Sequence, residues 1–150
     1  MGSLARRKRP MEILMVEDSL MCARITMSGL RRSEIRHRLT WLKDGASALD
    51  FLFRRKSFTR APRPDVILLD LGLPVLDGRD VLAEIKAHED LCTIPVVVLT
   101  GSSDKDDAVD CQLLGVEGFL TKPVDLDKFS MLVRELSHHW HEDVMVPVFN

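Results

Sequence analysis

A chain of 150 residues, 45% hydrophobic and 29% charged, has the make-up of a soluble globular protein and the size of one domain. Its formal net charge of −2 hides a basic leader, Arg6, Arg7, Lys8 and Arg9, in front of a net acidic body. That body is a poor ligand for nucleic acid, and the leader reads as a solvated tail. No apolar run approaches the ~20 residues that cross a bilayer, and no signal-peptide pattern opens the chain. A cytoplasmic protein that does not touch a membrane is expected. Cys22, Cys92 and Cys111 are odd in number and form no CxxC pair, so reduced structural thiols are expected rather than disulfides or metal ligands.

Taken in chain order, residues 1–10 form the leader, expected to be disordered. Met11–Val16 is a short apolar strand, followed by Leu20, Ala23, Met27 and Leu30 at helical spacing. Leu39 and Trp41 belong to a weaker alternating strand. Ala48, Leu49, Leu52 and Phe53 mark a second helix, opened after Asp44-Gly45, and Arg54–Pro64 reads as a basic, proline-punctuated loop. Val66–Leu69 has the look of a strand buried on both faces. After Leu73-Pro74 and a turn at Asp77-Gly78, a helix places Val81, Leu82 and Ile85 inward. Pro95–Leu99 is another buried strand that ends on Thr100. A helix over about 105–114, a strand at Gly118–Thr121, and a last helix with Leu126, Phe129, Leu132, Val133 and Leu136 on one face complete the domain, 11–137. Residues 138–150 form an apolar extension. Five strand–helix units without a linker predict a doubly wound α/β fold, a parallel sheet with helices on both faces.

In such a sheet, chemistry sits outside the carboxyl ends of the central strands. Glu17 and Asp18 follow the first strand, and Asp70, Thr100 and Lys122 stand at or just past the ends of the third, fourth and fifth. A charge at the end of a buried strand costs free energy unless something there uses it. Three carboxylates at one rim repel one another, and a hard divalent cation such as Mg²⁺ relieves that repulsion. Beside a hydroxyl and an ammonium, the arrangement suits a phosphoryl group, with Asp70 as the nucleophile that accepts it.

The stretches "VEDS", "LLDLGLPVLDG", "PVVVLTGS" and "FLTKP", in this order, resemble the receiver domain of two-component response regulators over roughly 11–137. The resemblance implies a flavodoxin-like (βα)5 sheet of order 2-1-3-4-5. It implies phosphorylation of Asp70 by a histidine kinase, with Mg²⁺ held by Asp18, Asp70 and the Gly72 carbonyl and with Glu17 acting through water. Thr100 would bond one phosphoryl oxygen and Lys122 pair with another, Pro123 fitting a cis peptide that aims the lysine. Phe119 matches the switch aromatic, which turns inward when Thr100 moves toward the phosphate; plain core packing is the alternative for it. "RRKSFTRAPRP", "DGRDVLAEIKAHEDL" and "TKPVDLDKFSMLVRELSHHW" narrow the resemblance to stand-alone regulators paired with bacterial phytochromes. Two positions depart from the common pattern. Gly72 has no side chain where many relatives carry Asn or Met, and Gly101 leaves the approach to the phosphoryl group open.

Competing readings weigh less. A magnesium-dependent phosphatase of the haloacid dehalogenase type needs a second Asp two residues after the nucleophile, where this chain has Gly72. A pseudo-receiver scaffold conflicts with the intact acidic set, and no GxGxxG supports dinucleotide binding. Like other receivers, the chain is expected to assist its own phosphorylation without being a separate enzyme. No DNA-binding segment follows before Asn150, so output through a partner contact or phosphate relay is expected. His138, His139 and His141 read as solvated rather than metal-binding. Trp140, Val144, Met145, Val146, Val148 and Phe149 either pack back on their own domain or bury against a second subunit. A homodimer is expected, built on the fourth helix, fifth strand and fifth helix, with the tail contributing.

Overall fold

The computed structural model describes residues 9–101 and 115–140. The expected helix over 105–114, Cys111, His141 and the apolar side chains from Val144 onward lie outside these residues. Five parallel strands, β1 (Met11–Val16), β2 (His37–Leu42), β3 (Val66–Asp70), β4 (Val96–Thr100) and β5 (Gly118–Thr121), pair in the order 2-1-3-4-5. Helices α1 (Leu20–Arg32), α2 (Gly45–Leu52), α3 (Gly78–Ala87) and a C-terminal helix (Leu126–Glu135) connect or follow them. This is the predicted fold.

Successive strand side chains point to opposite faces, and the core divides accordingly. Leu14, Val16, Ile67, Leu69, Val96 and Val98 pack on one face with α2 (Ala48, Phe51, Leu52) and α3 (Val81, Leu82, Ile85). Met11, Ile13, Met15, Leu68, Val97 and Leu99 pack on the other with α1 (Ala23, Leu30) and the C-terminal helix (Phe129, Val133, Leu136). Phe129 is fully buried; burial of a side chain this large stabilises by about 1.5–3 kcal/mol. All five residues of β3 are buried, whereas those of β2, an edge strand, are at most half-buried. The edge position explains the weaker apolar alternation of β2.

Each helix begins on a side chain that accepts from its first turn: Ser19 from Cys22 N–H, Asp44 from Ser47 N–H, Asp77 from Arg79 N–H, and Asp125 from the amides of Asp127 and Lys128. Because α1 starts at the Ser19 cap, Leu20 projects past the sheet and is 48% exposed, not inward as its spacing suggests. Thr26 takes the buried place between Ala23 and Leu30. The basic loop carries a short 3-10 turn, Lys56–Phe58. Cys22 and Cys92 are free, half-buried thiols.

Both ends of the described chain are tied to the edge where the strands begin. Arg9, from the segment read as a solvated tail, forms a two-pronged ion pair with Asp65 at 2.7 and 2.8 Å. Trp140 packs in cis: its indole N–H donates to the Asp65 carbonyl at 2.6 Å, and its ring lies against the α1-side core.

Candidate functional site

Register decides what meets at the other end of the sheet. Val16 of β1 is level with Leu69 of β3, so the next residues, Glu17 and Asp70, emerge side by side. Asp70 is level with Leu99, and Thr100 with Thr121, so Thr100 and the residue after Thr121, Lys122, complete the rim. The Lys122 amide donates to the Thr100 carbonyl at 2.8 Å, and the Lys122–Pro123 peptide that follows is cis.

The Lys122 ammonium lies 3.0 Å from Asp70 Oδ2 and 3.3 Å from each Glu17 carboxylate oxygen. Glu17 and Asp70 are only 1% and 2% exposed, while Asp18 faces solvent. Glu17, Asp18 and Asp70 each offer an oxygen within 4.8 Å of the others. Two further donors hold the buried acids: Ser19 N–H reaches Glu17 Oε1 at 3.1 Å, and Gly72 N–H reaches Asp70 Oδ1 at 3.0 Å. Burial, then the neighbouring Asp70 charge, pushes the Glu17 carboxyl above its ordinary value despite Ser19 and Lys122. Burial acts to lower Lys122, but the hydrogen bond and charge of Asp70, with those of Glu17, outweigh it and hold the ammonium above the usual lysine value. One lysine therefore pairs with two of the three clustered carboxylates, Glu17 and Asp70. The donor set is all oxygen, its negative charge exceeds the single ammonium, and Asp18 opens it to solvent, so it fits a hard divalent cation.

The β3–α3 loop closes over Asp70. Gly78 N–H donates to the Leu71 carbonyl at 3.1 Å, and a Cβ at Gly78 would fall on the Asp70 carbonyl and Leu71 Cα. Only glycine lets α3 begin there. Gly72 is exposed, and a Cβ there would make only ordinary contact with Asp70 Oδ1, at 3.7 Å. Val75 is fully exposed and holds φ at 66°, a left-handed conformation that a β-branched residue rarely adopts.

Of the residues singled out in the sequence, Glu17, Asp18, Asp70 and Lys122 converge directly. Thr100 ends the adjacent strand, half-buried. Phe119 stands apart on β5, half-buried against the α2/α3-side core. A feature that the sequence pattern does not reveal is Trp41, whose indole N–H donates to the Glu17 carbonyl at 2.7 Å. In the sequence it reads only as an apolar strand residue.

The response regulator receiver domain family matches residues 13–134. Response regulator Rcp1 of Synechocystis sp. is 44% identical over 138 residues, which cover 92% of this chain and 94% of that protein. The crystal structure of the Mn²⁺-bound form of Rcp1 superposes with a TM-score of 0.74, over 93% of this chain and 100% of that one. The phosphorylated cyanobacterial phytochrome response regulator RcpA, 36% identical, gives 0.75 over the same shares. A strand-end acidic set with its lysine, the 2-1-3-4-5 sheet and these likenesses lead to one assignment. The chain belongs to the response regulator receiver domain family of two-component signalling.

Proposed function

We propose that Asp70 is the phosphoacceptor of this receiver and that a histidine kinase of the bacterial phytochrome type is its donor. The observation that carries the first part is the Lys122 ammonium held between Asp70 and Glu17 beside the exposed Asp18. A carboxylate oxygen of Asp70 attacks the phosphorus of a phosphohistidine; the P–N bond breaks, and its electrons leave with the imidazole. Asp18, Asp70 and the Gly72 carbonyl would hold Mg²⁺, with Glu17 acting through water. The ion supplies charge neutralisation for the phosphoryl oxygens and the crowded acids. Lys122 pairs with a phosphoryl oxygen, and Thr100 donates its hydroxyl to another as Phe119 turns inward. The changed surface, rather than a further reaction, carries the signal.

The second part rests on the likeness to Rcp1 and RcpA, the latter described as a phytochrome response regulator. Transfer from a panel of autophosphorylated histidine kinases tests both. Phosphate should pass fastest from a bacterial phytochrome kinase and to no Asp70→Asn protein. Equal transfer from unrelated kinases would remove the phytochrome pairing and leave the phosphoacceptor.

The protein works in the cytoplasm as a homodimer built on the β5 face, with residues after Trp140 contributing. The cis packing of Trp140 sets where a truncation must fall: after Trp140, not before it. Light scattering should give a dimer for the full chain and weaker association for the truncated one. Monomers in both, with and without beryllofluoride, would contradict the assembly.

A further inference from the structure

The β1–β2 ladder ends where Glu17 N–H donates to the Leu42 carbonyl at 3.0 Å, since β2 stops at Leu42. The Glu17 carbonyl is then taken by a side chain, the Trp41 indole, at 2.7 Å. On the far side of Asp18, Ser19 N–H is held by the Glu17 carboxylate at 3.1 Å. The backbone of Asp18 is thus clamped by a fixed carbonyl before it and a fixed amide after it. That matters because Asp18 is the exposed member of the acidic set and has no buried wall to hold it. A Glu17–Asp18 peptide free to rotate would swing the Asp18 carboxylate relative to Glu17 and Asp70. Trp41 is itself well anchored, half-buried against the α1-side core, with the Lys43 ammonium 5.3 Å over its ring.

We infer that Trp41 is a positioning residue: its indole N–H fixes the Glu17–Asp18 peptide and so presents Asp18 to the divalent cation. The inference rests on the reading of Glu17, Asp18 and Asp70 as a metal site. Its chemistry requires the N–H and not merely the apolar bulk. Trp41→Phe keeps most of that bulk and removes the donor, whereas Leu39→Ala removes apolar bulk from the same strand and the same core face. Loss of one hydrogen bond corresponds to roughly threefold to tenfold weaker binding.

Free Mn²⁺ measured by electron paramagnetic resonance gives the affinity directly. Trp41→Phe should bind Mn²⁺ about threefold to tenfold more weakly than wild type. Leu39→Ala should lose stability yet keep the wild-type affinity. In Trp140→Phe, where Trp41 is the one remaining tryptophan, emission should change on Mg²⁺ addition and saturate with the binding curve. This arm serves even if Trp41→Phe does not fold. Equal Mn²⁺ affinity in Trp41→Phe and wild type, equal weakening in Leu39→Ala, or flat emission from Trp41 would each overturn the role of Trp41. Absence of Mn²⁺ binding by wild type would overturn the metal site itself.

Discussion

Two buried aspartates bracket β3, Asp65 just before it and Asp70 at its end, and their surroundings are opposite. Asp65 receives both prongs of Arg9 and the Glu12 amide at 2.7 Å. Glu117, at the same edge, repeats the arrangement: Lys86 lies at 3.0 Å and the Val96 amide at 2.6 Å. Each acid there has its own cation and caps a strand amide. At the other edge, Glu17 and Asp70 share Lys122, and the Asp18 carboxylate stands within 4.8 Å of both acids. Burial alone therefore does not mark a functional acid. The mark is burial combined with a surplus of negative charge, which a ligand can neutralise.

The sharpest break in this comparison is a pair of substitutions of opposite sign. Asp65→Ala should lower the unfolding free energy by about 2–4 kcal/mol, because it strands the Glu12 amide and the partly covered Arg9. Asp70→Asn in EDTA should raise it by about 1 kcal/mol, because it relieves repulsion and leaves Lys122 to Glu17. Urea unfolding of both proteins checks the signs; a loss in both would erase the distinction between the two edges.

Metal should act on one edge only. Mg²⁺ at a hundred times its dissociation constant should stabilise wild type by about 2.7 kcal/mol through mass action. Asp18→Asn should melt higher than wild type in EDTA and lose most of that response, while Arg9→Ala should keep it. Thermal unfolding at several Mg²⁺ concentrations measures this. A smaller gain is expected from Val75→Gly, about 1 kcal/mol, since the strained φ of 66° serves no packing in the fold.

The smallest effect is one of pH. The folded value of Lys122 is raised above 10.5, so its charge stabilises the fold fully below that pH, and the contribution is lost as pH climbs through the folded value. Glu17 acts in the same sense at the acid end: its raised carboxyl makes the metal-free protein lose stability as pH rises from about 4.5. Glu17→Gln should flatten the acid-side slope and bring the alkaline loss to lower pH. Denaturant midpoints across the range test both limbs.

Much of this architecture is legible in the chain itself. Val66–Leu69 and Val96–Leu99 are apolar runs too continuous for a half-exposed strand, and an aspartate ending the first of them draws attention at once. The Glu17-Asp18 doublet and Lys122-Pro123 stand at the corresponding ends of β1 and β5. Less is legible where a contact joins distant residues or a polar group fills an apolar slot. Thr26 is buried in α1 while Leu20 is exposed, because the Ser19 cap sets where the helix starts. The Arg9–Asp65 pair spans 56 positions and leaves no local pattern. An apolar tail looks the same in sequence whether it packs in cis or across subunits, and Trp140 is resolved only by its bond to the Asp65 carbonyl. The Trp41 indole is hidden in the same way, since strand periodicity registers the ring and not the N–H.

The central claim is that the charge surplus at the end of β3 exists to receive a phosphoryl group on Asp70. Incubation with acetyl phosphate and Mg²⁺, then borohydride reduction of the acyl phosphate and peptide mapping, tests it most directly. The account predicts reduction at Asp70 alone in wild type, none when Mg²⁺ is removed, and none in Asp70→Asn. Reduction at Asp65 or Asp77, or a full yield in Asp70→Asn, would contradict it.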